Sequence, residues 1–154
     1  MIVYRLSKSK YAQSLSGQGA ERFGGRWNNK GTPMVYTRGS RALCAVEVAV
    51  HTPYGQLPED YVLITLHLPD DALRELDAQS LPPDWDRLPP APASRKLGDT
   101  FVQDREFLAL KVPSAAVPGE FNVLINPQHI RMNEVVVDAI APFGFDQRLF
   151  GASK

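Results

Sequence analysis

The chain has 154 residues, with 17 basic and 17 acidic side chains, three His and one Cys. This length suits one domain, and an apolar share of 44% against 22% charged residues supports an ordinary core. Zero net charge argues against a nucleic-acid binder, one Cys excludes a disulfide framework or Cys-rich zinc site, and no apolar run reaches membrane-span length.

The first ten residues turn polar too early for a signal peptide, so a soluble cytoplasmic chain is expected. Residues 1–6, with Ile2, Val3 and Tyr4, predict a first strand. Residues 7–31 carry Gly17, Gly19, Gly24, Gly25 and Gly31 among Ser, Asn, Lys and Arg. They hold too little apolar material for a helix or buried strand, and predict a long functional loop at the rim of a cleft. Residues 33–37 predict a short strand. Ser40 is placed to cap a helix over 41–51, which Pro53 and Gly55 stop.

Residues 61–68 form the clearest strand, apolar enough for burial on both faces or a central place in a sheet. Residues 81–93 are dominated by proline around Trp85 and predict an extended connection, since proline fixes φ and removes donors. Ser94 is expected to cap a helix to about residue 105, and strands are expected at 107–112, 121–125 and 134–139. Strands with two interspersed helices, without βαβ alternation, predict a single α+β domain over 1–154.

Common enzyme templates are missing. Gly17 and Gly19 begin a dinucleotide spacing that fails at Arg22. No phosphate loop or serine elbow is present, and His51, His67 and His129 lack metal-ligand spacing.

Three segments carry groups suited to chemistry. Residues 42–50 are apolar at every position but Glu47, which predicts a core helix with a carboxylate in or beside the core. Glu47 is then a solvent-facing residue, half of a structural ion pair, or a functional carboxylate. Gly24-Gly25-Arg26-Trp27-Asn28 offers close backbone approach, a guanidinium fork for phosphate and a ring face for a base; taken alone, a turn with Arg stacked on Trp explains it better. Ser114 follows a strand end, and Asn122 and Asn126 flank Val123-Leu124-Ile125; turn chemistry accounts for these too.

In this order, Gly-Gly-Arg-Trp, the Tyr36 strand, Ala-Val-Glu-Val-Ala-Val-His, Val-Pro-Ser and Asn-Val-Leu-Ile-Asn-Pro-Gln-His resemble the RES-domain toxins, named for an Arg, a Glu and a Ser. Leu81-Pro-Pro-Asp-Trp85, Leu97-Gly98-Asp99 and Phe145-Asp146-Gln-Arg148-Leu149 extend the likeness over nearly the whole chain. Phe101 departs from an expected Trp, in a helix read as structural.

The resemblance implies an ADP-ribosyltransferase-like α+β fold, with two small sheets, flanking helices and a cleft between them. It implies the toxin of a type II toxin–antitoxin system that degrades NAD⁺ at the nicotinamide–ribose bond, as glycohydrolase or phosphorylase. The alternatives are a mono-ADP-ribosyltransferase acting on a protein such as phosphoribosyl pyrophosphate synthetase, and a non-catalytic nucleotide-binding domain. NAD⁺ is then substrate, with no resident cofactor or metal. The implied partner is an Xre-like DNA-binding antitoxin that covers the active site and carries the DNA binding, with no direct nucleic-acid or membrane contact by this chain. The residues carried over are Arg26, Glu47 and Ser114, with Tyr36 as aromatic partner. Arg26 suits the pyrophosphate, Trp27 or Tyr36 an aromatic ring, Glu47 the ribose, and Ser114 and Asn126 the carboxamide or a ribose hydroxyl.

Overall fold

The computed structural model describes residues 1–152. Seven strands form the framework: β1 (Ile2–Lys8), β2 (Val35–Arg38), β3 (Tyr61–His67), β4 (Leu73–Glu75), β5 (Ala109–Pro113), β6 (Phe121–Ile125) and β7 (Val136–Phe143). Three helices accompany them: α1 (Gln18–Phe23), α2 (Arg41–Val50) and α3 (Pro92–Asp104). The strand order is β4-β5-β6-β2-β1-β3-β7, antiparallel except for β4 beside β5.

One junction in this sheet differs from the rest. β1 pairs with β3 along its whole length, and β2 with β6 likewise, yet β1 and β2 meet only at Tyr4 opposite Arg38. The sheet is therefore two halves, β4-β5-β6-β2 and β1-β3-β7, hinged at one rung. This matches the expected pair of small sheets and adds their point of connection.

Cores lie on both faces. One collects Val3, Ile64, Leu66, Val35, Val123 and Ile125; the other collects Trp27, Met34, Val102, Leu110, Val112 and Leu124. β6 contributes to both, so Val123, Leu124 and Ile125 are buried in succession, as a doubly covered strand requires. β3 lies between β1 and β7, next to the sheet edge, and its burial alternates, so its apolar run marks an interior strand buried on one face rather than on both or at the centre. Phe101 packs half-buried against the second core, in keeping with a structural role.

Several expectations change. Residues 18–23 form a helix with no buried residue, inside the stretch expected to be loop. Six residues held by their ends need no apolar stripe. The left-handed Gly17 before the helix lies hard against the Met34 backbone, and the Gly24 N–H after it donates to the Ala20 carbonyl. Ser94 does not cap α3: Pro92, with its preset φ, starts the helix two residues earlier, and the buried Ser94 hydroxyl donates to the Trp85 carbonyl. Ser40 does cap α2, accepting from the Leu43 N–H at 3.1 Å. But α2 is no fully enclosed helix. Only Leu43 and Cys44 are buried: α2 packs on β1 and β2 and touches the short turn Gln147–Phe150, and these contacts cover only part of its surface.

Candidate active site

Past the Tyr4–Arg38 rung the two sheet halves diverge, and the gap between them is a cleft. One part, about 230 Å³, is lined by Arg5, Tyr36, Arg38, Glu47, His51 and Tyr61. Arg5, Leu6, Tyr36 and Arg38 also line a second, larger part of about 540 Å³. Tyr11, Ser14, Ser16 and Phe23 wall that larger part, so the glycine-rich stretch supplies the rim its sequence predicts. Two guanidinium groups thus form a waist between a small pocket holding a carboxylate and a larger pocket within the usual size of ligand sites.

α2 delivers Glu47 to the smaller pocket, with a side chain 13% exposed. Its Oε1 lies 3.8 Å from Arg38 Nε and accepts from Asn122 Nδ2 at 3.4 Å. Its Oε2 lies 3.8 Å from the Nε2 of the well-exposed His51, one helical turn on. Of the two structural roles open to Glu47, the ion pair is real but loose. Arg38 Nε is buried without a hydrogen-bond partner, and so is Asn122 Oδ1. Unpaired buried polar atoms each cost on the order of 1–3 kcal/mol, and here both sit beside one carboxylate. Cys44 also lines the pocket, but burial pushes its thiol up to about 11, so it stays protonated and is no nucleophile at neutral pH.

Tyr36 sits beside Glu47 in the cleft wall, with the Arg38 guanidinium 5.9 Å from its ring centroid. Its hydroxyl donates to Asn28 Oδ1 at 2.6 Å and accepts from the Trp27 N–H at 3.1 Å. Burial raises the phenol far above its ordinary range, so it remains neutral and positions a ring rather than moving a proton.

The Gly-Gly-Arg-Trp-Asn loop is built around that hydroxyl. A Cβ on Gly25 would lie 2.7 Å from Tyr36 Oη, so the glycine admits Tyr36 rather than a ligand. Asn28 is fully buried, donating to the Ala20 and Thr32 carbonyls, and Asn29 grips Asp99 of α3 with its N–H at 2.9 Å and its side chain at 2.7 Å.

Arg26 donates through Nη1 to the Trp85 carbonyl at 3.0 Å and the Arg87 carbonyl at 2.9 Å. It therefore clamps the proline-rich connection and does not line the Glu47 cleft. Trp27 offers no face to a ligand: it is 1% exposed and stacked on Trp85, with centroids 6.0 Å apart. Core packing competes for the same ring and wins. Ser114 is buried, and its Oγ accepts from the Ala116 and Val117 N–H groups, shaping the turn after β5. Asn126 is also buried, bonded to the Val102 carbonyl and the Gln128 N–H.

The structure brings Tyr36 and Glu47 together and leaves Trp27, Ser114 and Asn126 outside the cleft. Arg5 and Arg38 join it instead, with Asn122 behind Glu47 rather than in the lining. Arg38 carries a signal in the sequence: it follows Tyr36 by two residues on one strand and so shares its face.

The Arg26 geometry has a measurable consequence. Arg26→Ala should cost about 2 kcal/mol, because two charge-assisted bonds are lost, one to the partly buried Trp85 carbonyl and one to the exposed Arg87 carbonyl. A thermal melt should show a fall of about 4–8 °C. The KM for a ligand of the cleft should stay within about two-fold, and an unchanged melt with a large KM rise would give Arg26 the ligand role instead.

A split α+β sheet with its cleft at the hinge is the ADP-ribosyltransferase-like architecture. A chain of the crystal structure of the M. tuberculosis MbcT–MbcA toxin–antitoxin complex shares this fold, with a TM-score of 0.76 over 97% of this chain and 86% of that one, at 24% identity. Residues 2–146 match the RES domain, and the chain belongs to the RES domain family. Its relatives include the protein named Toxin Res of Photorhabdus laumondii, 39% identical with both chains covered in full. Another is the Prs ADP-ribosylating toxin of a Sphingobium species, 36% identical over 90% of this chain and 88% of that protein.

Proposed function

We propose that this RES-domain chain is the toxin of a toxin–antitoxin pair, acting in the cytoplasm on NAD⁺ by breaking its nicotinamide–ribose bond. The observation that carries this reading is the partly shielded Glu47 carboxylate in a small pocket, joined through the Arg5–Arg38 waist to a larger one. A dinucleotide has the matching order of parts: a reactive ribose, two phosphates, a second nucleoside.

Arg5 and Arg38 hold the pyrophosphate by charge and by their donors. Tyr36 packs on the nicotinamide or its ribose. Nicotinamide leaves as a neutral molecule, taking the bond's electron pair, and the ribose gains oxocarbenium character. Glu47 Oε2 accepts a ribose hydroxyl and stabilises that positive charge where bulk water is thin. The acceptor is water, or phosphate attracted by the same two guanidinium groups. Arg26 and the buried Ser114 then act by holding the walls.

A second reading, transfer of ADP-ribose to a protein, draws on the Sphingobium relative's name. Purified chain is given NAD⁺ with buffer alone, with phosphate, or with phosphoribosyl pyrophosphate synthetase, and free nicotinamide is measured. Catalytic release without protein supports NAD⁺ degradation. Release only with the synthetase moves the reading to transfer, and none in any mixture leaves a nucleotide-binding domain.

The proposed partner is an Xre-like antitoxin over the cleft mouth, where Tyr11 and Phe23 leave apolar surface exposed. DNA binding belongs to that partner, since this chain has no net positive charge.

A further inference from the structure

We infer that Asn122 is the positioning residue for the Glu47 carboxylate: it holds Oε1, so that Oε2 alone is presented to the substrate. The inference rests on the proposed role of Glu47. Asn122 lies on β6 directly opposite Arg38 on β2, and the two side chains approach the same carboxylate oxygen, at 3.4 Å from Nδ2 and 3.8 Å from Nε. The other oxygen faces only the exposed His51, at the open side of the pocket.

Asn122 is 6% exposed and does not line the cleft, so it cannot itself touch substrate. Its carbonyl oxygen is buried without a partner. A leucine of similar size would remove that unpaired atom, so the amide is offset at one place only, through Nδ2 on Glu47. The bond is long, as hydrogen bonds at unliganded active sites often are, and a small approach of α2 toward β6 would close it. The same approach would bring Arg38 Nε, now unpaired, within reach of Oε1. Substrate drawn onto Oε2 and Arg38 thus tightens both contacts together. The remaining titratable groups that line the pocket are Arg5 from β1, Tyr61 from β3, Tyr36 from β2, Cys44 from α2 and His51 just after it.

Two variants test this. Asn122→Leu keeps the branched shape and the number of heavy atoms and drops the donor. It should stay folded, melt no lower than the parent, and lose kcat about ten-fold or more with KM for NAD⁺ within about two-fold, the loss expected for one hydrogen bond to a charged group. Asn122→Asp sets a like charge beside Oε1, which should move the acid limb of the kcat profile to higher pH. The Glu47 carboxyl, followed by carbon-13 NMR in labelled protein, should titrate at a higher pH in Asn122→Asp than in the parent. That readout needs no turnover. Parent-like kcat in Asn122→Leu, or an unmoved Glu47 titration in folded Asn122→Asp, would overturn the inference. Full turnover by Glu47→Gln would instead end the reading of Glu47 on which it rests, so the two failures are distinguishable.

Discussion

Glu47→Gln is expected to lower nicotinamide release about a hundred- to a thousand-fold, the range for removing one group that stabilises developing charge. The amide keeps the shape of the side chain and one acceptor but not the charge that faces the ribose cation. Its effect on folding should be small. The Arg38 contact it weakens is loose, at 3.8 Å, and pairs of that kind contribute about 1 kcal/mol or less. KM should move little, because Arg5 and Arg38 still hold the phosphates. Steady-state kinetics beside a thermal melt checks both halves of this expectation. A folded variant with parental kcat would remove the carboxylate from the chemistry.

Gly98→Ala should be the most destabilising small substitution in the chain, at about 3 kcal/mol, the upper end of the usual cost of overpacking. A Cβ at Gly98 would overlap the carbonyl oxygen of Trp27, a backbone atom that cannot swing aside. Alanine is favoured over glycine in a helix by about 1 kcal/mol, too little to offset that overlap. α3 would have to withdraw, loosening Trp27 and Met34 in the core beneath it. Through the Trp27 N–H it would also loosen the Tyr36 hydroxyl. The melt should fall by about 6–12 °C. Gly19→Ala is the control: nothing lies within 4 Å of its added Cβ, in a helix that alanine favours, so the melt should hold or rise.

What the sequence made legible, and what it hid, follows from how far apart the interacting residues lie. Ser40 capping α2, the apolar run of β3 and the Tyr36 strand are local features, and each is found where the sequence predicts it. Glu47 stands out as the single charge in an apolar helix, and the family resemblance joins it to Tyr36. The proline at the start of α3 is also local, but it outweighed Ser94 as a helix start.

The site's remaining members are products of tertiary pairing. Asn122 meets Glu47 across 75 residues, and Arg38 meets Asn122 only because β2 pairs with β6. Arg26 and Trp27 show the converse. A guanidinium fork and an indole face suit a nucleotide, yet here they are taken up by carbonyls and a ring of a segment about sixty residues away. Residue type states what a side chain can bind; only the fold decides which partner reaches it first.

The proposed function requires that the cleft between the sheet halves, with Glu47 in its smaller part, is where NAD⁺ is held and cut. The measurement that tests it most directly is a crystal structure of Glu47→Gln with NAD⁺ bound intact. The nicotinamide ribose should lie beside residue 47 and Tyr36, with the pyrophosphate between Arg5 and Arg38 and the adenosine in the larger pocket toward Tyr11 and Phe23. NAD⁺ seated instead on the opposite side of the glycine pair, against Lys30 and Arg95, with the cleft empty, would contradict the account.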